Sequence, residues 1–248
     1  MLTQIEWNEN TRYAILYSLF GYLWINAFFM SCLIFVIAGT CAQWYFTSTS
    51  DDNGSGSVMR SIHWIYRYHL GSLAMGAFLI ALVQFIRIIF EYYKKQIEKA
   101  NKENKLVKAI LCATSCCLDC LERFIKFLTK NAYIQIALTG KNFCTSAWNG
   151  FFLVIKNAAT FGTTGTIGFI FQILGVMFIT AANGVVVYAL LHYAPPFVGL
   201  TRNWMPPVFI GMLEGVLIGS LFMSLFSFSS DTILQSFLLD ETLNRSEH

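Results

Sequence analysis

Charged side chains are scarce in this chain of 248 residues. Lys, Arg, Asp and Glu make up 12% of the sequence, against about 25% in a typical soluble domain. They are absent from residues 13–50 and 157–201, and Glu214 is the single charged residue in 203–230. A helix of a soluble domain needs charged or polar residues along its solvent face. These gaps therefore exclude a soluble globular domain and favour a membrane protein.

The sequence also lacks the short motifs of common enzymes. It has no GxSxG, no P-loop, no HExxH and no Gly-rich dinucleotide fingerprint, so we expect no enzyme activity and no cofactor. The basic residues in 94–130 have few aromatic neighbours, and we expect no nucleic-acid surface. The residues through Arg12 lack the basic region and cleavage site of a secretory signal peptide, which predicts a polar lead-in to a membrane span.

Apolar residues fill the uncharged gaps and reach 56% of the sequence. About 20 apolar residues in a helix cross the hydrocarbon of a bilayer, where a backbone must satisfy its own hydrogen bonds. We predict four transmembrane helices, at about 19–46, 70–90, 167–191 and 207–228. The predicted fold class is an all-α polytopic membrane protein, with residues 1–248 in a single membrane domain.

Basic residues predict the orientation of these spans. Nine Lys and Arg residues lie in 94–130, and the positive-inside rule places such a segment on the cytoplasmic side, or on the matrix side in a mitochondrion. Both termini are then inside, and the loops at about 47–66 and 193–204 are outside. We predict that 94–164 is an inner-face segment, on the same side as the C-terminus.

Residues 131–156 are apolar but are interrupted by Lys141 and Asn142. Their uninterrupted apolar stretches are too short to cross about 30 Å of hydrocarbon. We predict an amphipathic, interfacial or re-entrant helical element here.

Four polar or aromatic residues inside the spans are candidates for a substrate path, because polar groups in a membrane are costly. Glu214 could balance an organic cation or carry a coupling proton; the alternative is a protonated or hydrogen-bonded packing residue. Gln84 and Asn183 could contact a substrate or bond a neighbouring helix. Trp24 could hold a cation through its ring face, or belong to the aromatic belt at a membrane interface.

Small residues predict close helix contacts. Gly211, Gly215 and Gly219 recur every four residues on one face of the fourth span, which is the spacing of helix-packing motifs in membranes. The alternative is a flexible gate.

Four of the seven cysteines lie within nine residues: Cys112, Cys116, Cys117 and Cys120. A reducing compartment disfavours disulfides. Cys117 and Cys120 have CxxC spacing, but a structural zinc draws its ligands from two separated pairs, so no metal is predicted. The cluster is a candidate for reversible acylation, with packing or interfacial anchoring as the alternative.

Three blocks of sequence resemble the choline transporter-like family of membrane proteins. The first, 116–147, contains CCLDCLERFIKFL, NAYIQIA and GKNFCTSA; the second, 67–92, contains RYHLGSLAMGA and LVQ; the third is DTIL at 231–234. They occur in family order and resemble the C-terminal half of family members, which the resemblance implies are more than twice this length.

The resemblance leaves two hypotheses for function. The first is a transporter of choline or a related amine, or a piece of one; it would dimerise, pair with a missing transporter half, or be a fragment of a longer chain. The second is a non-transporting accessory or structural subunit of a larger membrane complex. The partners expected are the lipid bilayer and other membrane subunits, and the isolated chain is not expected to transport choline. The resemblance implies the plasma membrane, whereas an accessory subunit could lie in a mitochondrial inner membrane. The start at Met1 favours a short protein rather than a fragment.

Overall fold

The computed structural model describes residues 8–47, 56–100, 105–194 and 203–246, and these residues contain helices and no strand. The helices are α1 (Glu9–Thr47), α2 (Val58–Trp64), a π-helical turn (Ile65–His69), α3 (Leu70–Ala100), α4 (Lys105–Thr139), α5 (Phe143–Lys156), α6 (Ala158–Tyr193) and α7 (Met205–Ser246).

Four helical stretches are long and apolar enough to cross a membrane: Glu9–Thr47, Val58–Lys99, Ala158–Tyr193 and Met205–Asn244. Each contains one predicted span, which confirms the all-α polytopic fold. Residues 48–55 and 195–202, in the two predicted outer loops, and 101–104, in the predicted inner-face segment, lie outside the described residues.

The chain divides into two compact units, Met1–Phe152 and Leu153–His248. They are described separately below. The single membrane domain predicted from the sequence stays a prediction.

In the first unit, α1 and α3 pack against each other through small residues. Ala38 on α1 and Ala77 and Ala81 on α3 are fully buried, as is Phe35. Small side chains let two helix backbones approach closely in a membrane. The contact continues to α2, where a Cβ added to Gly39 would lie 2.8 Å from the Ser61 hydroxyl oxygen.

The π-helical turn Ile65–His69 joins α2 to α3 without a break. A π-helical turn holds more residues per turn than an α-helix, so it changes the face that the preceding residues present. Ser61 in α2 is fully buried and accepts a hydrogen bond from the Gln43 amide at 2.9 Å. The turn thus joins two helical segments that both pack on α1.

Helix α4 runs antiparallel along α3. Ser115 bonds Glu91 near the C-terminal end of α3, and the Tyr133 hydroxyl donates to the Leu73 carbonyl near its N-terminal end at 3.4 Å. The 25 residues from Ser115 to Thr139 span 24 steps along the helix, or about 36 Å at 1.5 Å per residue. α4 therefore follows the whole predicted 70–90 span.

Helix α5 then folds back along α4. The turn between them contains Gly140, which has φ +69°, a left-handed conformation that glycine adopts without strain. A Cβ added to Gly150 would lie 3.1 Å from the Asn131 carbonyl oxygen, and the Phe151 and Phe124 ring centroids are 6.0 Å apart.

Together α4 and α5 form a helical hairpin. The sequence left the amphipathic, interfacial and re-entrant forms open. On which side of a membrane each part of 94–164 lies stays a prediction.

The second unit is a hairpin of α6 and α7 in which glycines on α7 contact α6. An added Cβ would lie 2.7 Å from Val187 Cγ2 at Gly211, 2.9 Å from Thr180 Cα at Gly215, and 3.4 Å from Val176 Cα at Gly219. All three glycines are buried, so the face predicted from the fourfold spacing is the one turned to α6.

Candidate functional site

A network of charged side chains joins α3 to α4. Glu122 is 6% exposed and accepts bonds from Arg87 at 2.5 Å, Lys126 at 2.6 Å and Gln84 at 3.3 Å. Arg87 reaches a second carboxylate, Asp119, at 2.8 Å. Charged hydrogen bonds of this length are stronger than neutral ones, and a carboxylate this buried requires such partners.

A second pair of contacts lies one helical turn further along α3. Ser115 on α4 donates a hydrogen bond to Glu91, and Lys94 approaches the same carboxylate at 3.7 Å. The Glu91 side chain is 36% exposed. Glu91 is therefore more accessible to a ligand than Glu122, whose carboxylate is already enclosed by three donors.

The hydrogen-bonded network around Glu122 and the contacts of Glu91 border a cavity of about 520 Å³, which we call the α1–α3–α4 cavity. Its walls are Leu23 from α1, Glu122 from α4, and Gln84, Arg87, Ile88, Glu91, Tyr92 and Lys95 from α3. Small-molecule sites commonly have volumes of about 300–1,000 Å³ and a few well-placed polar groups. The cavity offers carboxylates, cations and one aromatic ring to a ligand.

The structure places two of the four substrate-path candidates in this unit, but apart. Gln84 lines the α1–α3–α4 cavity. Trp24 lines a separate hollow of about 270 Å³ and donates its indole N–H to the Ala74 carbonyl at 3.2 Å. Its ring centroid is 5.8 Å from that of Phe78 in an edge-on arrangement. Trp24 thus helps to hold α1 on α3.

The other two candidates belong to the α6–α7 hairpin. The Asn183 amide donates to the Gly211 carbonyl at 2.7 Å, which is a bond between neighbouring helices. Glu214 is exposed, and its side chain has no hydrogen bond or ion pair to another described residue of the chain. The four candidates therefore do not form one site within either unit.

The four clustered cysteines are all exposed on α4, with free thiols. Cys117 shares a helix face with the exposed residues Leu106, Ile110 and Leu121, at spacings that match the α-helical period. In the parts of the chain that the structure describes, no group of three or more His, Cys, Asp or Glu side chains could hold a metal ion. Acylation of the cluster stays a prediction.

Sequence reasoning did not identify the Arg87–Glu122 pair. The signal was present, because Arg87 lies inside the predicted 70–90 span, and a charge there requires a partner.

Comparison with known proteins identifies the family. A family model described as plasma-membrane choline transporter matches residues 1–242. The chain belongs to this family. The family is described as one of transporters.

Individual relatives agree with the family match. Choline transporter-like protein 1 of Xenopus laevis is 32% identical over 96% of this chain and 36% of its own length. Choline transporter-like 2 of Drosophila melanogaster is 34% identical over 92% of the chain and 28% of its length. Choline transporter-like protein 2 of Dictyostelium discoideum is 36% identical over 91% and 35%.

The chain thus spans about a third of the length of these curated relatives. The family resemblance drawn from the sequence is confirmed. The matched part is nearer a third than the predicted half. An integral multi-pass membrane protein is also confirmed, whereas the comparisons give no support to a mitochondrial membrane.

Proposed function

We propose that this chain takes part in moving choline or a related organic cation across the plasma membrane. Family membership and four apolar helices support the proposal. The relatives are about three times as long as the matched region, and transporters commonly place the substrate site between two repeats. We therefore expect the chain to act together with further membrane segments rather than alone.

The observation that carries the proposal is that Glu91 and Tyr92 both line the α1–α3–α4 cavity. A quaternary ammonium has no N–H to donate, so it is held by aromatic faces and by charge. Tyr92 is 57% exposed and the Glu91 side chain 36% exposed, so both remain accessible to a cation. Glu122, enclosed by its three donors, would hold Arg87 away from that cation.

The test is uptake of labelled choline into liposomes. We expect no saturable uptake by the purified chain alone, and saturable, competitor-sensitive uptake when the remaining segments of a full-length relative are supplied. In that assembly Glu91→Gln should raise KM roughly 5- to 30-fold, which corresponds to about 1–2 kcal/mol of lost cation binding.

The matched control is Glu98→Gln, which removes the same charge from the same helix two turns away, outside the residues that line the cavity. Equal effects of both substitutions would contradict a role for Glu91. Saturable uptake by the chain alone would show that no further segments are needed. A folded assembly without uptake in any combination would favour the accessory-subunit hypothesis.

A further inference from the structure

A second hollow of about 370 Å³ lies between the beginning of α1 and the end of the predicted span in α3. Among the residues that line it are Arg12, Leu16 and Leu19 from α1, and Ile88, Ile89 and Tyr93 from α3. It shares Ile88 and Tyr92 with the α1–α3–α4 cavity but none of that cavity's charged residues. We call it the α1–α3 groove.

The residues that line the groove change from polar at the Arg12 end to apolar at the Leu19 end. On α1, Arg12, Leu16 and Leu19 lie on one helix face, because their spacings of four and three residues match the α-helical period. Arg12 is the last charged residue before the uncharged run 13–50, and Leu19 lies about 10 Å further along the helix axis. On α3, Tyr93 lies nearer the Arg12 end of the groove, and Ile89 lies nearer the apolar end. This is the order of headgroup and acyl chain in a phospholipid.

Charge selects among phospholipids. Arg12 is the single charged residue among those that line the groove. It is exposed and forms no salt bridge with any other residue that the structure describes. Arg87 in the α1–α3–α4 cavity differs in this respect, since it is already neutralised by Glu122 and Asp119. An arginine is a strong binder of phosphate oxygens.

We propose that the α1–α3 groove binds one anionic phospholipid, with its phosphate on Arg12 and an acyl chain along Leu16, Leu19 and Ile88. The tyrosine hydroxyl at the groove mouth adds a hydrogen-bond donor at headgroup level, where amphipathic aromatic residues are favoured. The bound lipid would fix the ends of α1 and α3 relative to the membrane surface.

The experiment is native mass spectrometry of the full chain, released from mixed micelles with equal amounts of phosphatidylglycerol and phosphatidylcholine. We expect one phosphatidylglycerol to be retained in preference to phosphatidylcholine. Arg12→Gln should lower that retention about fivefold, since one basic residue near an anionic surface contributes about 1 kcal/mol. The matched control is Arg123→Gln, at an exposed arginine that lines neither the groove nor the cavity.

A second pair of variants tests the apolar part. Leu16→Trp should fill the groove and lower retention of both lipids. Leu33→Trp should not, although Leu16 and Leu33 are similarly exposed, at 39% and 42%. Circular dichroism and a thermal midpoint for each variant establish that it is folded.

Four results would overturn the proposal. The first is an equal loss of retention in Arg12→Gln and Arg123→Gln, and the second is equal retention of the two lipids by the unmodified chain. The third concerns a photo-crosslinking residue placed at Leu16 in native membranes: capture of a protein segment instead of a lipid would mean that a helix occupies the groove. If inorganic phosphate raises the thermal midpoint of the chain as much as phosphatidylglycerol does, a lipid site is likewise excluded.

Discussion

Replacing Gly76 by alanine should loosen the packing of the α4–α5 hairpin on α3. An added Cβ would lie 2.6 Å from the Tyr133 hydroxyl oxygen, 2.6 Å from Phe143 Cε2 and 2.9 Å from Thr129 Cγ2. Carbon atoms in folded proteins do not approach this closely. Tyr133 and Phe143 are only 1% and 5% exposed, so neither ring has free space to move into.

The expected magnitude follows from two opposing effects. Overpacking a core by one methyl group destabilises it by about 1–3 kcal/mol, and three enclosed neighbours place Gly76 near the upper value. Alanine in place of glycine in a helix returns up to about 1 kcal/mol. The net loss for Gly76→Ala is about 2 kcal/mol. Gly71→Ala on the same helix has nothing within 4 Å of the new Cβ and should gain about 1 kcal/mol.

The measurement is the thermal midpoint of both variants in the same detergent. The two free energies of unfolding should differ by about 3 kcal/mol. At about 2–4 °C per kcal/mol for a domain of this size, the midpoints should differ by roughly 6–12 °C, with Gly76→Ala lower. Equal midpoints, or a higher midpoint for Gly76→Ala, would mean that the hairpin does not pack on α3 as described.

Four other perturbations test the remaining features. Glu122→Gln should lower the free energy of unfolding by about 1–2 kcal/mol in a denaturant titration; this is less than for a fully buried pair, because the Arg87 and Lys126 side chains are 42% and 49% exposed. Gly215→Val should separate α6 from α7, since its Cβ would lie 2.9 Å from a backbone atom of α6, and a lower thermal midpoint than that of Gly21→Val, which has open space, would verify this. Glu214→Gln should leave the midpoint within about 0.5 kcal/mol because the side chain is exposed, and unchanged uptake in a transporting assembly would remove it from the mechanism. In a variant whose native cysteines are replaced by serine, a cysteine at the hairpin tip in place of Lys141 should react with an impermeant reagent added outside, because α4 extends past the level of Leu73. This expectation is opposite to the inner-face position predicted from the sequence for the whole of 94–164, and reaction only from inside would support that inner-face position instead.

The spans and the glycine face could be predicted because each depends on a local pattern. An apolar run of sufficient length specifies a membrane helix wherever it packs, and the fourfold spacing of Gly211, Gly215 and Gly219 specifies a smooth helix face. The length over which α4 packs along α3 could not be predicted in this way. Glu122 and Lys126 interrupt its apolar stretches. Lys126 pairs with Glu122 on α4 itself, and the further partners of Glu122 are Arg87 and Gln84 on α3.

The candidate site was predictable only in part. Gln84 was identified because it is a polar residue within an apolar run. Its place in a cavity with Glu91 and Tyr92 depends on how three helices meet, which no single run of sequence contains. Arg87 requires an acidic partner, but whether that partner is Asp119, Glu122 or another acid depends on the register of α4 against α3.

The π-helical turn has a consequence for how this part of the chain can change over time. Because the turn accommodates one residue more than regular α-helix would, removal of a single residue within Ile65–His69 would rotate α2 by about 100° relative to α3. Ser61 would then leave its partner Gln43, while the contacts of Leu73 and Gly76 with α4 would persist. Substitutions at the exposed positions of the turn leave the rotation of α2 relative to α3 unchanged, whereas insertion or deletion of a residue alters it. Among descendants of this sequence, the length of the segment should therefore stay constant.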